Sequence, residues 1–174
     1  VKVIDYVRQA DFEYKHKVDI KQYEAHKLFV EARLSLTEQA TSGEDLCRIV
    51  KQEAFDAILI GADAVWRSPK DNNIYFAEWL FENEDINQVA VASISPAHMG
   101  NGYCTIPEDR RRAIHDCLSR FRYITVRDAW TKKVVNRDIF GGDVFVKNVN
   151  PDPVFTLFRF VGNEQWFDKG QTPK

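Results

Sequence analysis

Arg127 and Asp128 directly follow a short apolar run, Tyr123–Val126. A guanidinium at the end of such a run is costly to place beside a core unless it meets an anion, and its planar fork suits a carboxylate or phosphate. Asp63 stands in a comparable position. It lies in the compact turn Gly61-Ala62-Asp63, which breaks the apolar run Phe55 to Ile60 and closes on Trp66. Ser93 ends a third run, Val89–Ile94, and His98 lies in the polar loop, Ser95 to Thr105, that follows. A cation, a carboxylate, a hydroxyl and an imidazole are the groups that bind an anionic substrate and move protons near neutral pH. Each also has a structural alternative. Arg127 can pair with Asp128, Asp63 or Asp152 as glue; Gly61 can merely turn the chain; Asp63 can cap a helix; Trp66 can fill core; and His98 can be a surface-loop histidine.

The elements that must position these groups alternate between strand and helix. Val1–Tyr6 reads as a strand, and Asp19 to Leu34 as a helix with Ala25, Leu28, Phe29 and Ala32 at helical spacing. Ser42-Gly43-Glu44-Asp45 opens a second helix as a near capping box, burying Leu46, Ile49 and Val50 before the 55–60 strand. Pro69 to Asn73 is a loop, and Tyr75 to Leu80 an aromatic segment that suits a helical turn or a lid. After the 89–94 strand, Pro107-Glu108-Asp109 opens a helix with a buried stripe of Ile114, Cys117, Leu118 and Phe121. A short helix carrying Trp130 and Val134 follows the 123–126 strand and ends at Gly141-Gly142. Asp143–Val146 reads as a further strand, and Asn150-Pro151-Asp152-Pro153 as a rigid turn. The pattern predicts an α/β fold with a doubly wound, mostly parallel, Rossmann-like sheet. The polar groups that end its strands then share one edge, where ligands bind in such sheets.

Composition narrows the function further. A length of 174 residues fits one domain with a real core. The net charge of −2 gives no electrostatic reason to expect nucleic acid. Three unevenly spaced cysteines (Cys47, Cys104, Cys117) make neither a disulfide framework nor a metal pair, and point to a reducing, cytoplasmic setting. No apolar run approaches the roughly 20 residues of a spanning helix. Cys104 has no His or Asp placed beside it by motif, His16, His26 and His115 read as solvated, and Arg110-Arg111-Arg112 reads as a solvated helix face. No dinucleotide, P-loop or zincin motif is present, and no metal is indicated. The first residue is Val1, within what reads as a strand, so the chain is expected to be a fragment.

Five segments, in order, resemble the polysaccharide pyruvyl transferase family. VKVIDY resembles the strand after that family's first helix, and FDAILIGADAVW its FDxxIxGSDQVW motif. VAVASIS resembles its AYAASFG strand, YITVRD its ISVRE or SVRD segment, and NPDPVF its DPTLL turn. The resemblance runs from Val1 to about Leu157. Ala62, Ala64 and Ser95 stand where the family has Ser, Gln and Gly, and the family's NYG segment and C-terminal half have no counterpart.

The resemblance implies one lobe of a two-lobed GT-B-like enzyme: a Rossmann-like N-terminal lobe over 1–157, incomplete at its start, with 158–174 beginning a linker or second lobe. It implies a transferase of surface or exopolysaccharide biosynthesis, moving pyruvate from phosphoenolpyruvate to a sugar diol as a ketal. The donor is a substrate, and no cofactor or metal is implied. Arg127 would bind the donor anion, and Asp63 would position an acceptor hydroxyl or orient Arg127. Gly61, Trp66, Ser93, His98 and Asp128 would line the substrate site. The acceptor would be a sugar or oligosaccharide, lipid-linked ones included, which suits the inner face of the membrane. The proton donor would lie in the missing half, leaving the fragment inactive alone. Two other readings stay open: a GT-B-like glycosyltransferase using a nucleotide sugar, and a non-catalytic sugar-binding or interaction module, which Ala62 and Ala64 favour by removing polar groups from the signature turn.

Overall fold

Short apolar runs separated by helix-forming segments give a mixed α/β chain with two parallel sheets and interspersed helices. The computed structural model describes residues 2–6, 20–67, 73–100 and 102–153. In order these form Val3–Tyr6 (β1), Ile20–Arg33 (α1), Leu36–Ala40 (β2), Gly43–Glu53 (α2), Ala57–Ile60 (β3), Glu78–Phe81 (α3), Ala90–Ser93 (β4), Glu108–Ser119 (α4), Tyr123–Val126 (β5), Ala129–Val134 (α5) and Asn148–Val149 (β6). Helical turns of 3-10 type cover Ile74–Phe76 and Tyr103–Thr105, and a π turn, Val135–Ile139, continues α5. The chain divides into two compact units, one built from Val1–Asp56 with Trp79–Val89, the other from Ala57–Glu78 with the residues from Ala90 onward.

In the first unit β1 and β2 pair in parallel, with a register shift between Val3 and Asp5. α2 starts as its sequence dictates. The Ser42 hydroxyl accepts from Asp45 N at 3.1 Å, while the Asp45 carboxylate accepts from Thr41 N and the Thr41 hydroxyl. Leu46, Ile49 and Val50 form its buried face, and Ala54, at φ 49°, ends it in the left-handed region. Lys2 pairs with Glu53, Lys51 with Asp85, and Arg48 with Glu38.

The second unit is a four-stranded parallel sheet in the order β3-β4-β5-β6. Ile60 is in register with Ser93, Ser93 with Ile124, and Val126 with Val149. Parallel strands need helical crossovers, supplied here by α4 between β4 and β5 and by α5 with its π turn between β5 and β6. Ile60, Val91 and Val126 enter the core with Ile114, Cys117, Leu118 and Phe121, the stripe expected of α4. On the other sheet face Leu59, Ala92 and Tyr123 fall in one cross-strand row, and Leu59 and Tyr123 are exposed. Among the described residues no helix is long and apolar enough to cross a membrane.

Several expectations need correction. No strand forms over 143–146. The Asn136 side chain clamps Val146 instead, its Nδ2 donating to Val146 O at 3.0 Å and its Oδ1 accepting from Val146 N at 2.8 Å. With both backbone groups taken, pairing begins only at Asn148. β2 is a strand that the polar run LTEQA conceals. The stripe of α1 faces solvent: Leu28 and Phe29 are exposed, and the Arg33 guanidinium lies 5.7 Å from the Phe29 ring centroid. Within Arg110-Arg111-Arg112, Arg110 is not solvated but largely buried and paired with Glu78. The aromatic segment at 75–80 resolves into a 3-10 turn and α3, with Phe76 and Leu80 buried. Of the loop over 69–73 only Asn73 is described, its amide donating to Val65 O at 2.7 Å. Val1, His16, the side chain of His26 and the tail over 158–174 lie outside the described residues.

Candidate functional site

The carboxyl ends of β3, β4, β5 and β6 fall along one edge of the second unit's sheet, and the turns leaving them are laced by main-chain hydrogen bonds. Ile60 O accepts from Ile94 N, Asp63 O from Ala97 N, Pro96 O from Arg127 N and Val126 O from Asn150 N, at 2.7–3.0 Å. Asp63 and Pro96 form an isolated parallel bridge, so the sheet effectively continues one rung past its strands. Two residues of these turns occupy the left-handed region that favours glycine: Asp63 at φ 81° and Ser95 at φ 54°. Neither is glycine, so each is held there by its surroundings. For Asp63 these are the bonds its carbonyl accepts from Val65 N and Ala97 N, both 2.8 Å. For Ser95 they include the hydroxyl, which lies 2.9 Å from both Asn150 O and Pro151 O.

Arg127 stands at the centre of this edge. Its Nη2 lies 3.1 Å from Asp152 Oδ2, and both terminal nitrogens lie 3.5 Å from Asp63 Oδ1. The side chains differ sharply in exposure: 26% for Arg127, 33% for Asp152 and 84% for Asp63. Arg127 Nε is buried without a hydrogen-bond partner among the described residues. Thus Asp63 and Arg127, 64 residues apart, do meet. Asp152, foreseen only as one alternative partner of Arg127, is the third member.

Asp128 is turned to another task. It caps α5, its carboxylate accepting from Thr131 N at 2.7 Å and the Thr131 hydroxyl at 3.0 Å, while Thr131 Oγ1 accepts from His98 N at 2.9 Å. Ser93 is fully buried, with its hydroxyl donating to Thr125 O and the Thr125 hydroxyl donating back to Ser93 O, both at 3.2 Å. Trp66 is also fully buried; its indole N–H donates to Tyr75 O at 3.1 Å and its ring stacks on Phe76. Gly61 lies at the mouth of the β3 turn, and a Cβ there would meet no atom of the described residues within 4 Å.

His98 is buried, not a surface-loop residue, because both ring nitrogens are engaged by the main chain. Nδ1 lies 2.8 Å from Trp66 O and so carries the proton, while Nε2 accepts from Gly102 N at 3.2 Å. The Tyr103 hydroxyl donates to the same Trp66 carbonyl at 2.7 Å. Burial, with Asp138 nearby, pushes that hydroxyl well above its ordinary value, so it stays a donor. Asp138 fixes the loop from its other side by accepting from Tyr103 N at 2.8 Å; the Arg137 guanidinium beside it holds its carboxyl below the usual range. Trp66, Ser93, His98 and Asp128 therefore lie behind the edge and brace the turns, whereas Gly61, Asp63 and Arg127 lie on it.

No group of three or more His, Cys, Asp or Glu among the described residues is placed to hold a metal ion. The arrangement sets one guanidinium between two carboxylates at the carboxyl ends of the strands. Compared with protein-family models, curated proteins and solved structures, the chain matches none.

Proposed function

We propose that this edge is the donor side of a pyruvyl transferase, which takes pyruvate from phosphoenolpyruvate and delivers it to two hydroxyls of a sugar. The observation that carries this reading is the meeting of Asp63, Arg127 and Asp152. They come from three of the five segments on which the resemblance rests, and nothing in sequence distance favours their contact. Ser95 adds support: the family has glycine there, and the backbone at Ser95 adopts φ 54°, which glycine takes at no steric cost.

In the proposed reaction the two sugar oxygens bond to C2 of the donor and the bond from C2 to the phosphate oxygen breaks. One hydroxyl proton ends on the methylene carbon, making it a methyl group, and the other leaves with phosphate. Arg127 holds the donor's carboxylate or phosphate. Asp63 orients Arg127 or positions an acceptor hydroxyl. Among the described residues nothing lies within 4 Å of a Cβ at Gly61, which allows a ligand to approach the main chain there. The proton donor, the doubly wound sheet and the two-lobed GT-B-like architecture belong to the same proposal, as do a carbohydrate acceptor and a cytoplasmic setting. All-parallel pairing supports the sheet; the four-stranded order advances without reversing, so the reversal a doubly wound sheet requires lies, on this reading, outside these four strands.

The test is titration of the 15N-labelled chain with phosphoenolpyruvate. Amide shifts confined to the turns at 61–66, 94–98, 127–128 and 150–152, lost in Arg127→Met, are the expected result. Shifts elicited by a nucleotide sugar and not by phosphoenolpyruvate would overturn it in favour of a glycosyltransferase.

A further inference from the structure

Resting on the reading of Arg127 as an anion-binding residue, we propose that its two carboxylates have opposite roles. Asp63 is a displaceable counterion that the incoming anion replaces, and Asp152 is a positioning residue that stays on Arg127 and holds its fork in place.

The geometry separates the two. Asp63 Oδ1 lies at the same 3.5 Å from both terminal nitrogens of Arg127, across the open end of the fork. An incoming carboxylate or phosphate oxygen needs that position, because Nε is buried. A separation of 3.5 Å is at the outer limit of a hydrogen bond, and the Asp63 side chain is 84% exposed. It can rotate into solvent while its main chain stays fixed, since its carbonyl is held by Val65 N and Ala97 N.

Asp152 differs in distance and exposure: its Oδ2 lies 3.1 Å from Nη2, and its side chain is 33% exposed. It stands on a turn anchored twice: Asn150 N donates to Val126 O, and the Ser95 hydroxyl is shared by the carbonyls of Asn150 and Pro151. Both carboxylates stand on fixed turns, so the closer and less exposed one sets where the guanidinium points, and the exposed one neutralises it until a better anion arrives.

The consequence is a pair of substitutions with opposite signs. Asp63→Asn removes the competitor and tightens phosphoenolpyruvate binding by about two- to fivefold, the range set by a weak exposed ion pair. Asp152→Asn frees the fork and weakens binding by about fivefold or more, and Asp152→Glu restores part of it. Isothermal titration of the full chain with phosphoenolpyruvate at low salt, using wild type, both asparagine variants, Asp152→Glu and Arg127→Met, reads all of these. Thermal melts check that each variant is folded. Tighter binding by Asp63→Asn, together with weaker binding by folded Asp152→Asn, supports the proposal. If wild type binds, Arg127→Met does not, and Asp63→Asn binds equally or more weakly, the division of roles is overturned and the donor reading stands. If neither wild type nor any variant binds phosphoenolpyruvate, or if folded Arg127→Met binds it as wild type does, both are overturned.

Discussion

Ser95 carries two opposing contributions. A side chain in the left-handed region costs about 1 kcal/mol that glycine avoids, while its hydroxyl gives the turn after β4 its connection to the turn after β6. Ser95→Ala keeps the cost and loses the connection; Ser95→Gly loses both. Urea unfolding should therefore find the alanine variant less stable than the glycine variant by about 1 kcal/mol, and equal stabilities would remove the argument from strain. Gly61 poses the reverse case. A methyl group there meets no described atom within 4 Å, and the backbone is not at positive φ, so Gly61→Ala should leave the unfolding midpoint unchanged or raise it slightly. If a ligand approaches the main chain at Gly61, the same variant weakens phosphoenolpyruvate binding; unaltered affinity would take Gly61 off the site. The strand-end positions of Asp63 and Arg127 were legible in the sequence because a charge that follows an apolar run is visible there. The burial of His98 was not. Its partners are main-chain atoms of Trp66 and Gly102, and no residue type announces a carbonyl.

At the scale of elements, the start of α2 was legible because capping is local. The Asp45 carboxyl is lowered to about 2, chiefly by the bonds it accepts from Thr41 and then by Arg48. A carboxylate whose folded value lies below its unfolded one stabilises the protein above pH of about 4 and loses that contribution as pH falls toward 2. Asp45→Asn should therefore flatten the acid limb of the stability profile between those values, and an unchanged slope would mean that the cap does not persist in solution. β6 was misplaced for the opposite reason. Asp143–Val146 has the apolar residues of a strand, but the amide of Asn136, ten residues earlier, takes both main-chain groups of Val146. Such long-range clamps leave no periodic signature. Asn136→Ala strands a buried N–H and C=O and should cost about 1–3 kcal/mol in denaturant unfolding.

For the whole molecule, alternating strands and helices were enough to foresee parallel pairing, since parallel neighbours require crossovers. The division into two units was not foreseen; no glycine- or proline-rich linker marks it, and the chain leaves and re-enters the first unit around Trp79–Val89. Buried charge was hidden too. Arg110 pairs with Glu78, yet its Nε and one terminal nitrogen are buried without partners among the described residues. A buried pair of this kind stabilises little relative to apolar residues of the same size, but losing one member is expensive. Glu78→Ala alone should destabilise by about 3–5 kcal/mol, whereas Glu78→Leu with Arg110→Met should be neutral or stabilising. Thermal unfolding of both variants checks the contrast.

Every described strand pair is parallel, and partners in the four-stranded sheet stand roughly thirty residues apart or slightly closer. Among the described residues no hairpin is available to close first, so pairing of β3 with β4, and of β4 with β5, costs loop-closure entropy before any ladder forms. Refolding from urea should accordingly run on a millisecond-to-second scale rather than in microseconds, with α2 and α4, whose contacts are local, gaining hydrogen-exchange protection before the edge that carries Arg127. The acidic and basic groups of the site would then be the last to meet, assembled only when the final parallel strand docks.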